Sequence, residues 1–328
     1  MVLIRGDGVA ARCCGHLLSQ SGVPVYFERV DRPRIPVILL SETAQSLIRD
    51  VFGRGDLFLD LPRIGRRAVA WGTAANPMEL SHSAVVLSEE ALLERLGSPI
   101  PVQGVAEIDW TICTSRPLPS PVTEHRFGSR KASTRIVELA AGTDPSSCWI
   151  ESLENGWLFL IANGPGSGWL VSVGSGSEEM LGESRLIQEQ ISATQPASGQ
   201  FVSSPRIVDP LADLGWIACG TAAMAFDPIC GDGTAHAVRE AILAAAVIRA
   251  AARGEDQVSL LEHYQTRLLA GFQRHLVECL PYYTSGGQGE WWESEANSVR
   301  QGVAWCVQRL GPRPSFRYRL DGFELCAV

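Results

Sequence analysis

Gly6, Gly8 and Ala11 stand at G-x-G-x-x-A spacing within "VLIRGDGVAARCC", and an acid, Glu28, follows Gly6 by 22 residues with Arg29 beside it. Each position has a mechanical role in binding a dinucleotide. A glycine at 6 permits a tight turn, a glycine at 8 lets the backbone approach a pyrophosphate, and a small residue at 11 lets a helix lie close to a strand. Glu28, at the end of the following strand, can accept hydrogen bonds from ribose hydroxyls. Ordinary strand-to-helix turns use the same glycine pattern; the register of the acid favours the nucleotide. A second turn, "FDPICGDGTAHAV", carries Gly231, Gly233 and Thr234 ahead of an alanine-rich run. A helix that starts near Gly233 presents unpaired N–H groups and the positive end of its dipole, which together suit an anion.

The elements that must hold these turns are legible around them. "VLIR", the helical period of "ARCCGHLLSQSG" and the apolar run "VPVYFER" form a beta-alpha-beta unit. "PVILLSETAQSLIRDVFG" predicts a turn at Ser41 and a helix from about Thr43 to Phe52. "RRAVAWG" and "MELSHSAVVL" predict strands, and "SEEALLERLG" predicts a helix capped by Ser88 and closed by Gly97. "AEIDWTICTS" predicts one more strand. From about 124 to 176, "STRIVELAA", "SCWIESLE", "WLFLIANG" and "GWLVSVGSG" are punctuated by Asn155-Gly156 and "NGPGSG", the pattern of antiparallel hairpins. "EEMLGESRLIQEQISA" predicts a return to helix, "GWIACG" a strand, residues 235–278 strong helix, and the remainder irregular chain apart from a helix near 293–310.

The chain has 328 residues, 45% of them apolar and 20% charged, enough to bury a large core in two interleaved domains. A formal charge of −8 without a basic cluster argues against a nucleic-acid partner. The opening "MVLIRGDG" is too short for a signal core and no run of about 18 apolar residues follows, which reads as a cytoplasmic protein without a membrane span. Nine cysteines without C-x-x-C spacing read as buried reduced thiols, and six isolated histidines show no ligand pair, so no metal is expected.

Three separated segments together resemble the FAD-dependent monooxygenase and flavin-halogenase superfamily, which shares the para-hydroxybenzoate hydroxylase architecture. They are "GDGVAA…FER", "LSETAQSLIRDVFG" and "GTAAMAFDPICGDGTAHAV". The resemblance implies an α/β fold, with a Rossmann-like FAD-binding domain (1–64, 84–123 and 205–253) interleaved with an antiparallel β-sheet substrate domain (65–83 and 124–204) and a helical C-terminal region (254–328). It places the FAD pyrophosphate at Gly6, Gly8 and Ala11 and the adenosine ribose at Glu28, next to Arg29. It puts Glu42 near the flavin, Thr221 at the ribityl or pyrophosphate position, and Pro228 by the ring edge. Gly231, Gly233 and Thr234 would bring backbone N–H groups toward the side of the ring that gains charge on reduction.

Departures from the family pattern narrow the chemistry. Thr221 replaces the usual aspartate, leaving a neutral hydrogen bond with a net value of about 1 kcal/mol. "ICTSRPLP" lacks the Asp-Gly or Ser-Gly that family members often carry after the middle strand, and the chain is short for the family. Halogenating members imply a lysine between flavin and substrate, whereas the single lysine among the 28 Lys and Arg, Lys131, lies outside that position. The reading is therefore an FAD-dependent monooxygenase acting on an aromatic or apolar substrate, either a small molecule or a side chain of a partner polypeptide, with electrons from NAD(P)H or a separate flavin reductase. A reductase of the geranylgeranyl-reductase type and a non-catalytic partner-binding relic are the alternatives. Trp157, Phe159 and Trp169 fit either an aromatic wall over the flavin or ordinary sheet core, and "PYYTSGGQGEWWESE" fits a lid, a docking segment or interdomain packing. No side chain is assigned a catalytic role.

Overall fold

The computed structural model describes residues 1–73, 76–97, 107–174, 177–312 and 316–328. Its strands in chain order are β1 (Val2–Arg5), β2 (Val25–Glu28), β3 (Ile38–Ser41), β4 (Arg63–Ala70), β5 (Met78–Leu87), β6 (Trp110–Cys113), β7 (Thr123–Arg126), β8 (Lys131–Leu139), β9 (Ser147–Leu153) and β10 (Gly156–Ala162). They continue with β11 (Ser167–Gly174), β12 (Ile191–Thr194), β13 (Gly199–Val202), β14 (Arg206–Asp209), β15 (Ala212–Asp213), β16 (Trp216–Ala218), β17 (Met224–Ala225), β18 (Tyr318–Asp321) and β19 (Glu324–Ala327). The helices are α1 (Val9–Gln20), α2 (Glu42–Phe52), α3 (Glu89–Leu96), α4 (Ser177–Glu183), α5 (Gly233–Ala252), α6 (Gln257–Ser285) and α7 (Glu290–Leu310).

A five-stranded sheet in the order β15-β16-β6-β1-β2 is parallel from β16 to β2. Its strands are short and apolar because helices cover it: Ile4, Ile112 and Ile217 are fully buried. α1 and α5 pack together beside it, with the Cys14 thiol 3.6 Å from the Ala241 carbonyl oxygen. The alanines of α5 allow this close approach, since Ala241, Ala244 and Ala246 have no exposed surface.

The large sheet runs β12-β8-β11-β10-β9-β4-β5-β3, with β13 also on β8. Every pairing in it is antiparallel except β4 with β9. It includes β3 and the end of β5, which come from segments expected in the nucleotide-binding part. Two sequence expectations need correcting. The helix expected over "EEMLGESRLIQEQISA" ends at Glu183, because the buried Glu151 carboxylate accepts the N–H groups of Arg185, Leu186 and Ile187 and so satisfies them outside a helix. The chain after 278 is not irregular: α6 continues through Pro281 to Ser285, and β18 and β19 form a terminal hairpin. Ala106 and residues 175–176, at the ends of two expected strands, lie outside the described residues.

Trp157 and Phe159 are buried in the common core, whereas Trp169 is partly exposed. The aromatic carboxy-terminal segment packs on the β4–β5 turn, where the Trp71 indole meets Tyr282 and Trp292 edge-on and donates to the Tyr282 carbonyl. Among the described residues no helix is long and apolar enough to cross a membrane. Cysteine thiols are all free, and Cys13 and Cys14 are buried in α1.

Candidate cofactor-binding site

The first glycine turn joins β1 to α1. Gly8 has no side chain to cap the helix, so the N–H groups of the first turn point outward without intrahelical partners. A β-carbon on Gly6 would meet the hydroxyls of Thr114 and Ser115, and Ala11 is fully buried, as close packing of helix and strand requires. Positive charge gathers in front of this helix end. Arg34 grips Asp7 with both terminal nitrogens, and Arg32 pairs with the buried Glu89. A terminal nitrogen of Arg32 lies 2.8 Å from where a β-carbon on Gly8 would stand. Arg12, in the first turn of α1, has Nε and Nη1 buried without a hydrogen-bond partner, and burial lowers its pKa. Buried guanidinium nitrogens without acceptors are costly unless an anion completes them, and Arg12 as a whole is half-buried. Glu28 sits at the end of β2, where its carbonyl accepts the Gly6 N–H at 2.8 Å and its carboxylate accepts from Arg5 at 3.0 Å. Arg29 is largely exposed, 3.5 Å from Asp7.

The distant segment folds back onto this turn. Gly220, just after β16, has φ +59°, and its N–H donates to the buried Glu240 carboxyl at 2.7 Å. Burial raises the pKa of Glu240 to about 8. Thr221 is exposed at the C-terminal edge of the parallel sheet; its hydroxyl donates to the Thr114 carbonyl at 3.3 Å and its own carbonyl accepts from Arg206. Pro228 opens a single 3₁₀ turn capped by Asp227, which accepts from Ile229 N–H at 3.0 Å.

Gly231 then adopts the left-handed conformation (φ +65°) that reverses the chain into Asp232 and α5. Asp232 makes no side-chain cap; its carboxylate accepts from the Ser41 hydroxyl at 3.2 Å and pairs with Arg239. Thr234, in the first turn of α5, is partly buried. β-Carbons on Gly231 and Gly233 would meet nothing within 4 Å.

Gly231 opens onto a cavity of about 320 Å³ that Ser41, Thr43, Arg67, His82 and His236 also line. Arg67 and His82 touch through nitrogens 3.0 Å apart. Burial, reinforced by Arg67 for His82 and by His275 for His236, lowers both imidazoles to about 4, so both are neutral at pH 7. Glu42 turns aside from this space, accepting from Ser83 at 3.0 Å and pairing with Arg49; its neighbours Ser41 and Thr43 line the cavity instead. A cavity of about 390 Å³ beside β14, α6 and α7, lined by His263, Trp305 and Arg309, includes neither glycine turn.

The turn at 230 also meets two groups carried by α6. Cys230, His275 and Cys279 have ligand atoms within 4.8 Å of one another; the i, i+4 spacing of the last two puts them on one face of α6, a signal the sequence reading missed, while nothing local ties Cys230 to them. The sequence reading passed over Arg12, and it weighed "DRPR", which carries Arg32 and Arg34, as an anion site but preferred solvated loop charge; the fold turns all three to the α1 terminus. Arg12 also carried a signal: it follows Ala11 directly, in the first turn after Gly8.

Two anion-attracting helix ends, one beside four arginines and the other beside a partly polar cavity, form a site suited to an extended nucleotide with a diphosphate and a ring. The residues present therefore fit FAD.

No protein-family model matches the chain, and no curated protein sequence matches it. Solved structures do match. The flavin-dependent halogenase CmlS is similar over 98% of this chain and 74% of its own, with TM-score 0.74 and 16% identity. The peptidyl tryptophan dihydroxylase QhpG, essential for tryptophylquinone cofactor biogenesis, is similar over 100% of this chain and 86% of its own, with TM-score 0.70 and 19% identity. A single-substitution variant of Klebsiella pneumoniae HpxO, complexed with FAD, is similar over 94% of this chain and 97% of its own, with TM-score 0.65 and 14% identity. The three sequence segments and the whole backbone thus agree: the chain has the fold of the FAD-dependent monooxygenases and flavin-dependent halogenases.

Proposed function

We propose that the chain is an FAD-dependent oxidoreductase of the monooxygenase type, acting on an aromatic or apolar substrate that is either a small molecule or a side chain of a partner polypeptide. One observation carries this reading: α1 and α5 both begin without a side-chain cap though more than two hundred residues separate them, and the segment leading into α5 packs on the start of α1 where Gly220 meets Ala10. When bound and reduced, FAD supplies oxygen activation, so the protein contributes position, charge and exclusion of water. Gly6, Gly8 and Arg12 with Arg32 hold the diphosphate, and Glu28 and Arg29 flank the adenosine. Thr221 and Pro228 line the path to the ring, and the Gly231–Thr234 N–H groups face the ring edge that becomes negative.

The oxygenase reading is preferred to halogenation because Lys131, the only lysine, begins β8 with an exposed side chain and does not line the cavity. The polypeptide substrate is supported by the similarity to QhpG across the full chain. Electrons come from NAD(P)H or from a separate flavin reductase. Titration of the purified protein with FAD, followed by flavin absorbance and fluorescence, tests the reading: saturable one-to-one binding is expected, and failure to bind favours the non-catalytic relic. Mixing the photoreduced holoprotein with oxygen then separates the enzyme classes, since an oxygenase reoxidises rapidly and a reductase of the geranylgeranyl-reductase type does so slowly.

A further inference from the structure

The Cys230 and Cys279 sulfurs lie 3.3 Å apart, one in the turn before α5 and the other in α6. Cys230 is half-buried on the wall of the 320 Å³ cavity, while Cys279 lies behind it, fully buried. His275, one helical turn before Cys279, places Nε2 3.4 Å from the Cys279 sulfur.

A cation would need ligands that this cluster has already committed. His275 Nε2 accepts the Asp227 N–H at 2.8 Å, and its Nδ1 is 4.0 Å from the Cys279 sulfur. The nearby Asp227 carboxylate accepts from Tyr283 and Ile229 and pairs with Arg130. Three potential ligands therefore remain, one of them with its lone pair in use, where a structural zinc site takes four.

The two thiols, by contrast, are placed for each other. A disulfide needs their sulfurs to approach from 3.3 Å to about 2.05 Å. The hydrogen bond from Cys279, and after it His275, holds the Cys230 thiol below its ordinary range; the same sulfur contact and burial push Cys279 upward. The accessible sulfur is thus the nucleophile and the buried one the resolving thiol.

We propose that Cys230 and Cys279 form a redox-active dithiol that reacts with low-molecular-weight disulfides entering the cavity. The Cys230 thiolate attacks one sulfur of the small disulfide, breaking its S–S bond and releasing one thiolate, which leaves a mixed disulfide on Cys230. Cys279 then attacks the Cys230 sulfur, gives its proton to the departing thiolate and expels the second small thiol. Two electrons pass from the protein thiols to the small disulfide, which leaves as two thiols. The new bond ties the turn before α5 to α6 at the cavity wall. This site stands on its own geometry; a flavin ring held against the Gly231 turn would share the cavity and slow the reaction at Cys230.

The test uses the full-length protein equilibrated with oxidised and reduced glutathione, then alkylated and mapped by peptide mass spectrometry. Cys230 and Cys279 should lose alkylation together and appear as one linked peptide pair that an excess of reduced glutathione releases. Cys326, the exposed thiol, serves as the control for reagent activity. Cys279→Ser should accumulate a stable glutathione adduct on Cys230, whereas Cys230→Ser should leave Cys279 unmodified. Unchanged alkylation of both cysteines in the wild-type protein overturns the proposal, and so does stoichiometric zinc that shields both thiols. The wild-type map decides the matter even where a variant does not fold.

Discussion

Gly220 lies so close to α1 that a β-carbon there would stand 2.9 Å from the Ala10 β-carbon, and its φ of +59° excludes ordinary side chains as well. This contact brings the third sequence segment to the first. Gly220→Val combines backbone strain with a steric clash, and a loss of about 2–4 kcal/mol in stability is expected. Chemical denaturation measures it; a variant as stable as the parent refutes the contact.

Gly233 offers the complementary case. Its β-position is open, so Gly233→Val should leave the thermal midpoint of the apoprotein nearly unchanged, while the added bulk stands where a ring approaches the α5 terminus. FAD affinity should fall at least tenfold, read by fluorescence titration. Unaltered affinity would place the ring elsewhere.

Arg12 separates stability from binding. Its unpartnered Nε and Nη1 make it a cost to the apoprotein and an asset to an anionic ligand. Arg12→Met should stabilise the apoprotein by about 1 kcal/mol and weaken FAD binding by about 1–3 kcal/mol, the range for a charged hydrogen bond. Calorimetry and titration on the same samples test both signs.

Glu240 sets a pH dependence. Its carboxyl is raised from 4.5 to about 8 in the folded protein, so between those values the folded state holds a proton that the unfolded state has released. The stabilising contribution is full below pH 4.5 and is lost as pH rises toward 8, at roughly 1.4 kcal/mol per pH unit. Glu240→Gln keeps an acceptor for the Gly220 N–H and removes this component. Denaturation at pH 5.5 and 8.5 should therefore show a smaller difference in the variant.

Arg130 joins the Asp227 turn to α7. It is almost wholly buried, pairs with Asp227 and Glu295, and stacks on Tyr283 at 4.4 Å. Arg130→Met strands two carboxylates in the interior, and a loss of about 3–5 kcal/mol is expected from equilibrium unfolding.

Much of the architecture was legible where local pattern and tertiary role coincide. The 6-8-11 spacing, the Ser88 cap and the Asn155-Gly156 hairpin describe short-range geometry, and each is present as read. The chain was less legible where a distant group replaces a local one. Glu151 ends the helix expected after 183 by accepting its N–H groups from another strand, and tertiary packing carries α6 through Pro281, which by propensity alone ends a helix. At the site, the glycine turns were legible as turns, because Gly6 and Gly231 adopt positive φ, which favours glycine. The arginines around α1 and the cluster at Cys230 were not, because their significance lies in convergence from the loop after β2, α1, the 228–230 turn and α6.

The pairing of β1 with both β2 and β6 has a consequence for the newborn chain. β2 follows β1 within a few dozen residues, but the other edge of β1 waits for Trp110, 108 residues after its partner Val2, and β16 follows only at Trp216. During translation an apolar strand edge is thus left open while more than a hundred residues emerge, the interval in which nascent chains aggregate or recruit chaperones.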